Sequence, residues 1–115
     1  MILVGKERLT DRGHILENIV YLELIRRGNI VWTGSSRNTE VDFVCKTQTG
    51  EIEYYQVAWQ MTNESTIDSE ITALEKIKDN YPKILLMTDS FTQDRSGIKH
   101  LNVFDWLLKT EKTND

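Results

Sequence analysis

Two stretches decide the fold: Glu40-Val41-Asp42-Phe43-Val44-Cys45-Lys46 and, beyond a short turn, Ile52-Glu53-Tyr54-Tyr55-Gln56-Val57-Ala58-Trp59. In the first, Val41, Phe43 and Cys45 alternate with Asp42, Val44 and Lys46, which is the period of a strand. Thr47-Gln48-Thr49-Gly50 reads as a turn, so the two stretches form a hairpin. A turn centred near Thr49 sets position 42 opposite position 56. One face then carries Asp42, Val44, Gln56 and Ala58. The other carries Val41, Phe43, Cys45, Tyr55, Val57 and Trp59, an apolar set suited to packing a helix. An acid inside an apolar strand is costly to bury without a partner or a metal, so Asp42 and the polar Gln56 beside it become the focus.

Upstream, a lead-in over residues 1–12 shows no clear period. From Gly13 the pattern is helical. Ile15, Ile19, Leu22 and Ile25 or Arg26 follow one helix face, and Leu16, Val20 and Leu24 widen it. Arg26-Arg27-Gly28 predicts the stop, with cations in the last turn and glycine just past it. Glu17 lies mid-helix among apolar neighbours, and packing this helix on the sheet would bring it towards Asp42. Ile30-Val31-Trp32-Thr33 predicts a first strand. Downstream, Gln60 to Thr66 reads as a loop whose Ser65 or Thr66 caps a second helix marked by Ile67, Ile71, Leu74 and Ile77. Asn80-Tyr81-Pro82 ends it. Lys83 to Thr88 is a strand buried on both faces. Asp89 to Gly97 reads as a loop, Ile98 to Val103 as a last strand, Phe104 to Leu108 as a short helix, and 109–115 as a frayed tail. The prediction is one α/β domain over 1–115. Its order is a helix, a three-stranded meander, a crossover helix, a fourth strand, then a C-terminal strand and short helix.

The 115 residues suffice for one core, and 39% apolar with 28% charged residues fits a globular chain. No apolar run approaches the roughly 20 residues that span a bilayer. Met1-Ile2-Leu3-Val4-Gly5-Lys6 is too short for a signal peptide and lacks a basic leader, so a cytoplasmic location is expected. The single Cys45 excludes an intrachain disulfide and a cysteine-rich zinc site. The net charge of -4 argues against a strong autonomous DNA binder. Basic groups at Lys6, Arg8, Arg12, Arg26 and Arg27 leave room for weak nucleic-acid binding.

The order of these elements, with Glu17 on the first helix, Asp42 in the second strand and Gln56-Val57-Ala58 in the third, resembles the PD-(D/E)XK nuclease superfamily. Gly13-His14-Ile15-Leu16-Glu17-Asn18-Ile19-Val20-Tyr21-Leu22-Glu23-Leu24, Arg26-Arg27-Gly28 and Glu40-Val41-Asp42-Phe43-Val44 are more closely similar to the C-terminal domain, of unknown function, of prokaryotic AAA-type ATPases. Lys76-Ile77-Lys78-Asp79-Asn80-Tyr81-Pro82-Lys83 and Gly97-Ile98-Lys99-His100-Leu101 add to that likeness, which runs from about Gly5 to Leu108. It implies a restriction-endonuclease-like core and an ATPase module as partner. In the superfamily the helix glutamate, the strand aspartate and the triplet acid gather Mg²⁺, and the triplet lysine orients or activates water. Mg²⁺ prefers hard oxygen ligands and lowers the pKa of bound water.

Carried over by position, Glu17 and Asp42 match as metal ligands. Gln56 stands for the acid and supplies only a neutral carbonyl. Ala58 stands for the lysine and supplies nothing. Losing such a charge costs roughly 100- to 1,000-fold in rate. Lys46 lies some four residues, roughly 13 Å, along the strand and is poorly placed to substitute; Lys76 and Lys78 are the other candidates. The expectation is a non-catalytic, degenerate nuclease-like accessory or interaction domain, without a cofactor. The alternatives are an active divergent nuclease using Mg²⁺ at Glu17 and Asp42, and a structural module that forms a homodimer.

Bland readings stand beside these. Asp42 could be satisfied by Gln56 or a backbone amide, Glu17 could pair with Arg12, and Glu40 could be an exposed strand-entry charge. His14 reads as a helix-start residue and His100 as a strand-edge residue. Trp32, Trp59 and Trp106 read as core or interface aromatics, and Arg26-Arg27 as a solvated helix end.

Overall fold

A computed structural model describes residues 9–37, 39–59, 64–88 and 97–109. The elements are α1 (Leu9–Arg26), β1 (Ile30–Thr33), a 3₁₀ turn (Ser35–Arg37), β2 (Phe43–Lys46), β3 (Ile52–Ala58), α2 (Glu64–Glu75), β4 (Lys83–Met87), β5 (Lys99–Asn102) and α3 (Val103–Leu108). The five strands form one sheet in the order β1-β2-β3-β4-β5. β1, β2 and β3 are an antiparallel meander, and β4 and β5 add in parallel. The α/β class, the meander and the parallel crossover through α2 follow the sequence pattern.

The hairpin register is the expected one. Phe43 pairs with Tyr55 and Val44 with Tyr54, which carries position 42 to the level of position 56. The turn fixes it: Gly50 N donates to Thr47 O and Thr47 N to Glu51 O, while Glu51 N donates to the Thr47 hydroxyl. β4 is buried on both sides, as its unbroken apolar run requires. Ile84 and Leu86 join one core, and Leu85 and Met87 the other.

Those two cores lie on opposite faces of the sheet. On one, Leu16, Val20 and Leu24 of α1 meet Phe43, Cys45, Tyr55 and Val57, with Val103 and Trp106 of α3. On the other, Ile71 and Leu74 of α2 meet Val41, Val44, Leu85, Met87 and Ile98. Cys45 is fully buried, and burial pushes its thiol up to about 12, so it acts as a small hydrophobe.

Several expectations need correction. α1 begins at Leu9, inside the stretch read as lead-in, so His14 lies within the helix and not at its start. The core-facing stripe of α1 is Leu16-Val20-Leu24, whereas Ile19, Leu22 and Ile25 are exposed. A helix apolar on nearly every side gives no periodic signal to choose between them. β2 starts at Phe43, and the bend over residues 40–42 turns Val41 into the α2-side core, away from Phe43 and Cys45. α2 begins at Glu64 inside the expected loop and ends at Glu75, before Ile77. β5 is shorter than 98–103, because the Asn102 side chain accepts from the Phe104 and Asp105 amides and caps a helix that starts at Val103. The loop expected over 89–96 and the tail over 110–115 lie outside the described residues.

Arg27 is not solvated. It is half-buried, its Nη2 donates to Trp106 O at 2.7 Å, and its guanidinium lies 4.0 Å above the Trp106 ring. It ties the end of α1 to α3. Gly28 follows with φ +94°, a conformation only glycine adopts without strain.

Candidate functional site

Three elements converge where β2 begins. The bend at 40–42 is pinned by Gly34, whose N–H donates to Asp42 O at 3.0 Å. A Cβ at Gly34 would overlap the Val41 carbonyl, so only glycine allows this approach. With its backbone held there, the Asp42 side chain takes over a rung of the ladder: its Oδ2 accepts the Val57 N–H at 2.8 Å. In return Gln56 Oε1 accepts the Asp42 N–H at 2.8 Å. Gln56 is 8% exposed, and its Nε2 donates to Glu70 Oε1 of α2 at 2.6 Å. The result is a chain running Val57 N–H, Asp42, Gln56, Glu70 across the sheet end.

From the other face, α1 contributes Glu17. Burial raises the pKa of Asp42 to about 7, and the Glu17 and Glu70 charges add to the rise against the lowering effect of the Val57 N–H. Burial also raises Glu17. His14, 3.9 Å away, works against that rise and Glu70 adds to it. Asp42 is therefore an acid poised to hold a proton near neutral pH, between two other carboxylates.

Of the sequence-predicted residues, Asp42 and Gln56 are joined by a hydrogen bond, and Glu17 acts on Asp42 only through its charge. Ala58 packs against the α2-side core. Of the lysines offered as substitutes, one is paired elsewhere and two are exposed. Lys76 pairs with the exposed Glu40 at 3.2 Å, and Lys46 and Lys78 are exposed. Among the described residues, no ion pair or hydrogen bond joins a lysine to Glu17, Asp42, Gln56 or Glu70. Glu70 was missed by sequence reasoning. The available signal was its place one turn before the buried Leu74 and next to the buried Ile71, at the margin of the α2 stripe.

The arrangement does not fit a Mg²⁺ site as it stands. The ion demands near-octahedral oxygen coordination. Here one Asp42 oxygen and the Gln56 carbonyl are each engaged by a backbone N–H. Among the described residues no group of three or more His, Cys, Asp or Glu side chains is placed to hold a metal ion. The chemistry this arrangement does support is proton holding and a rigid polar tie between the sheet and α2.

Comparison with known proteins gives two relatives. An uncharacterized protein of Haemophilus influenzae is 41% identical over 107 residues, covering 92% of this chain and 26% of that protein. An uncharacterized protein of Methanocaldococcus jannaschii is 40% identical over 74 residues, covering 60% of this chain and 16% of that protein. The chain thus spans about a quarter of the first relative and less of the second. No family model matches the chain, and no solved structure matches it. Among the described residues no helix is long and apolar enough to cross a membrane.

Proposed function

We propose that this chain is a degenerate nuclease-like domain that serves as a non-catalytic accessory or interaction module, associated with an AAA-type ATPase or another protein. One observation carries the reading. Gln56 stands where the superfamily pattern has an acid, and both ends of its amide are committed, to Asp42 N–H and to Glu70. A glutamate there would face Glu70 as a like charge; glutamine turns that repulsion into a 2.6 Å hydrogen bond. Gln56 removes a charge from the site, and Ala58 leaves it without the ammonium that phosphodiester cleavage would use. The order of helix, meander, crossover helix and strand agrees with a restriction-endonuclease-like core. The two longer relatives are consistent with a domain that accompanies a larger machine.

A second reading, an active divergent metal nuclease, is favoured by Glu17 and Asp42 lying close enough for the Glu17 charge to raise Asp42. Incubation of the purified chain with DNA and RNA in Mg²⁺ or Mn²⁺ separates the two. No cleavage above buffer is expected. Cleavage that disappears in Asp42→Ala would overturn the accessory reading in favour of the enzyme.

A further inference from the structure

A second polar site lies at the turn end of the hairpin, away from Asp42. A cleft of about 390 Å³ opens between the end of α1 and the β2–β3 turn, lined by Arg27, Asn29, Glu53, Tyr55 and residues 47–49. Its walls are fixed. Arg27 Nε donates to Glu23 at 2.8 Å and Nη2 to Trp106 O at 2.7 Å, with the guanidinium 4.0 Å above the Trp106 ring. Trp106 packs against Tyr55 with ring centroids 5.8 Å apart, and the Tyr55 hydroxyl donates to Glu53 Oε1 at 3.0 Å. Groups held this way lose little freedom when a ligand arrives.

The same contacts leave valences open. Glu53 is partly buried, yet among the described residues no cation pairs with it and its Oε2 accepts no hydrogen bond. Asp79, by contrast, has the Lys83 ammonium at 2.9 Å. Arg27 Nη1 makes no hydrogen bond among the described residues. Asn29 donates its amide nitrogen to Leu24 O at 2.9 Å and keeps its side-chain oxygen as an acceptor. Burial raises the pKa of the Tyr55 hydroxyl, the Glu53 charge adds to the rise and the Arg27 charge opposes it. Both charges therefore bear on the same buried ring.

We propose that this cleft binds a small zwitterion of the amino-acid type, its ammonium donating to Glu53 Oε2 and the Asn29 side-chain oxygen and its carboxylate accepting from Arg27 Nη1. Both contacts are charge-assisted hydrogen bonds, the strong kind. The surrounding charges already balance, Arg26 and Arg27 against Glu23 and Glu53, so a ligand carrying both signs leaves that balance intact. A lone cation would meet Arg27 and a lone anion would meet Glu53. The site stands apart from Asp42 and does not depend on how that site is read.

Amide-resolved NMR of the full chain, titrated in turn with each of the common amino acids at millimolar concentration, tests it. The expected result is saturable shifts at Asn29, Tyr55 and the turn residues 47–49 with at least one of them. Glu53→Gln still accepts the Tyr55 hydroxyl but loses the charge, and should weaken binding of that amino acid about tenfold or more. The methyl ester of the same amino acid keeps the ammonium and loses the carboxylate charge. It should bind the wild-type chain more weakly by a similar factor, and this comparison decides the matter if Glu53→Gln fails to fold. No shift with any amino acid overturns the proposal, as do shifts confined to other residues. Unchanged affinity in folded Glu53→Gln, or for the methyl ester, also overturns it, because the cleft would then not be reading both charges.

Discussion

Asp42 and Asp79 are two carboxylates tied to the same central strand with opposite electrostatic outcomes. Asp79 sits after α2 and is surrounded by donors. The Tyr54 hydroxyl reaches Oδ2 at 2.6 Å, while the Lys83 ammonium at 2.9 Å and the Tyr81 N–H at 3.0 Å reach Oδ1. Burial works against its charge, but these partners together outweigh it, and its pKa falls below the usual carboxylate range. Asp42, two positions along β3 from Tyr54 in register, has one backbone N–H and two acids as neighbours, and its pKa rises to about 7. A purely structural carboxylate looks like Asp79: it brings its own cation. Asp42 has no cation against it, and Gln56 supplies the neutral link between its backbone and Glu70.

The largest test of that contrast removes the tolerating residue. In Gln56→Ala the Asp42 N–H and Glu70 both lose their partner at a site that is almost fully buried. Loss of two buried hydrogen bonds plus a cavity should cost about 2–4 kcal/mol in chemical denaturation. A loss below about 1 kcal/mol would mean that the chain from Asp42 to Glu70 is not holding α2 to the sheet.

Much of this was legible in the sequence because it depends on local pattern. The turn at Thr47–Gly50 fixes the hairpin register, and that register alone brings Asp42 to Gln56. Of the bland readings of Asp42, the backbone amide is the one realised in its side chain, through Val57. What sequence patterns missed are consequences of long-range packing. Glu70 reaches Gln56 only because α2 crosses the far face of the sheet; its place at the margin of the α2 stripe marks it as near the sheet but does not name Gln56 as its partner. Val41 was assigned by strict alternation, which fails where the bend held by Gly34 interrupts the strand. The sequence pattern merges Leu16-Val20-Leu24 with Ile19, Leu22 and Ile25 into one wide face because all are apolar, and only the sheet beneath decides which are buried.

The next test removes the charge at Asp42 and keeps the shape. Asp42→Asn still accepts the Val57 N–H but sets no carboxylate between Glu17 and Glu70. The sign follows from the raised pKa. The folded state holds the Asp42 proton more tightly than the unfolded chain, whose aspartate titrates near 3.9. Stability from this group is therefore complete below that value and is lost as pH rises through about 7. The variant should match the wild type near pH 4 and exceed it by about 1–2 kcal/mol at pH 8, the modest size reflecting its partial exposure. Equal stabilities at pH 8 would show that the three acids do not strain one another.

Asp79→Asn should give the smallest effect and the opposite sign. Its folded pKa is depressed, so the folded state releases the proton more readily than the unfolded chain does. The stabilisation is present above the unfolded value and is lost as pH falls through the folded one. The variant should therefore lose about 0.5–1 kcal/mol at neutral pH, since Asp79 is partly exposed and its charge is screened by solvent. The deficit should vanish in acid, where the wild-type carboxylate is protonated too. Denaturation profiles of the two variants against pH would then diverge from the wild type in opposite directions, Asp42→Asn gaining as pH rises while Asp79→Asn loses. If both variants instead lose stability at neutral pH, Asp42 is an ordinary structural acid. The case for a relic site would then rest on Gln56 and Ala58 alone.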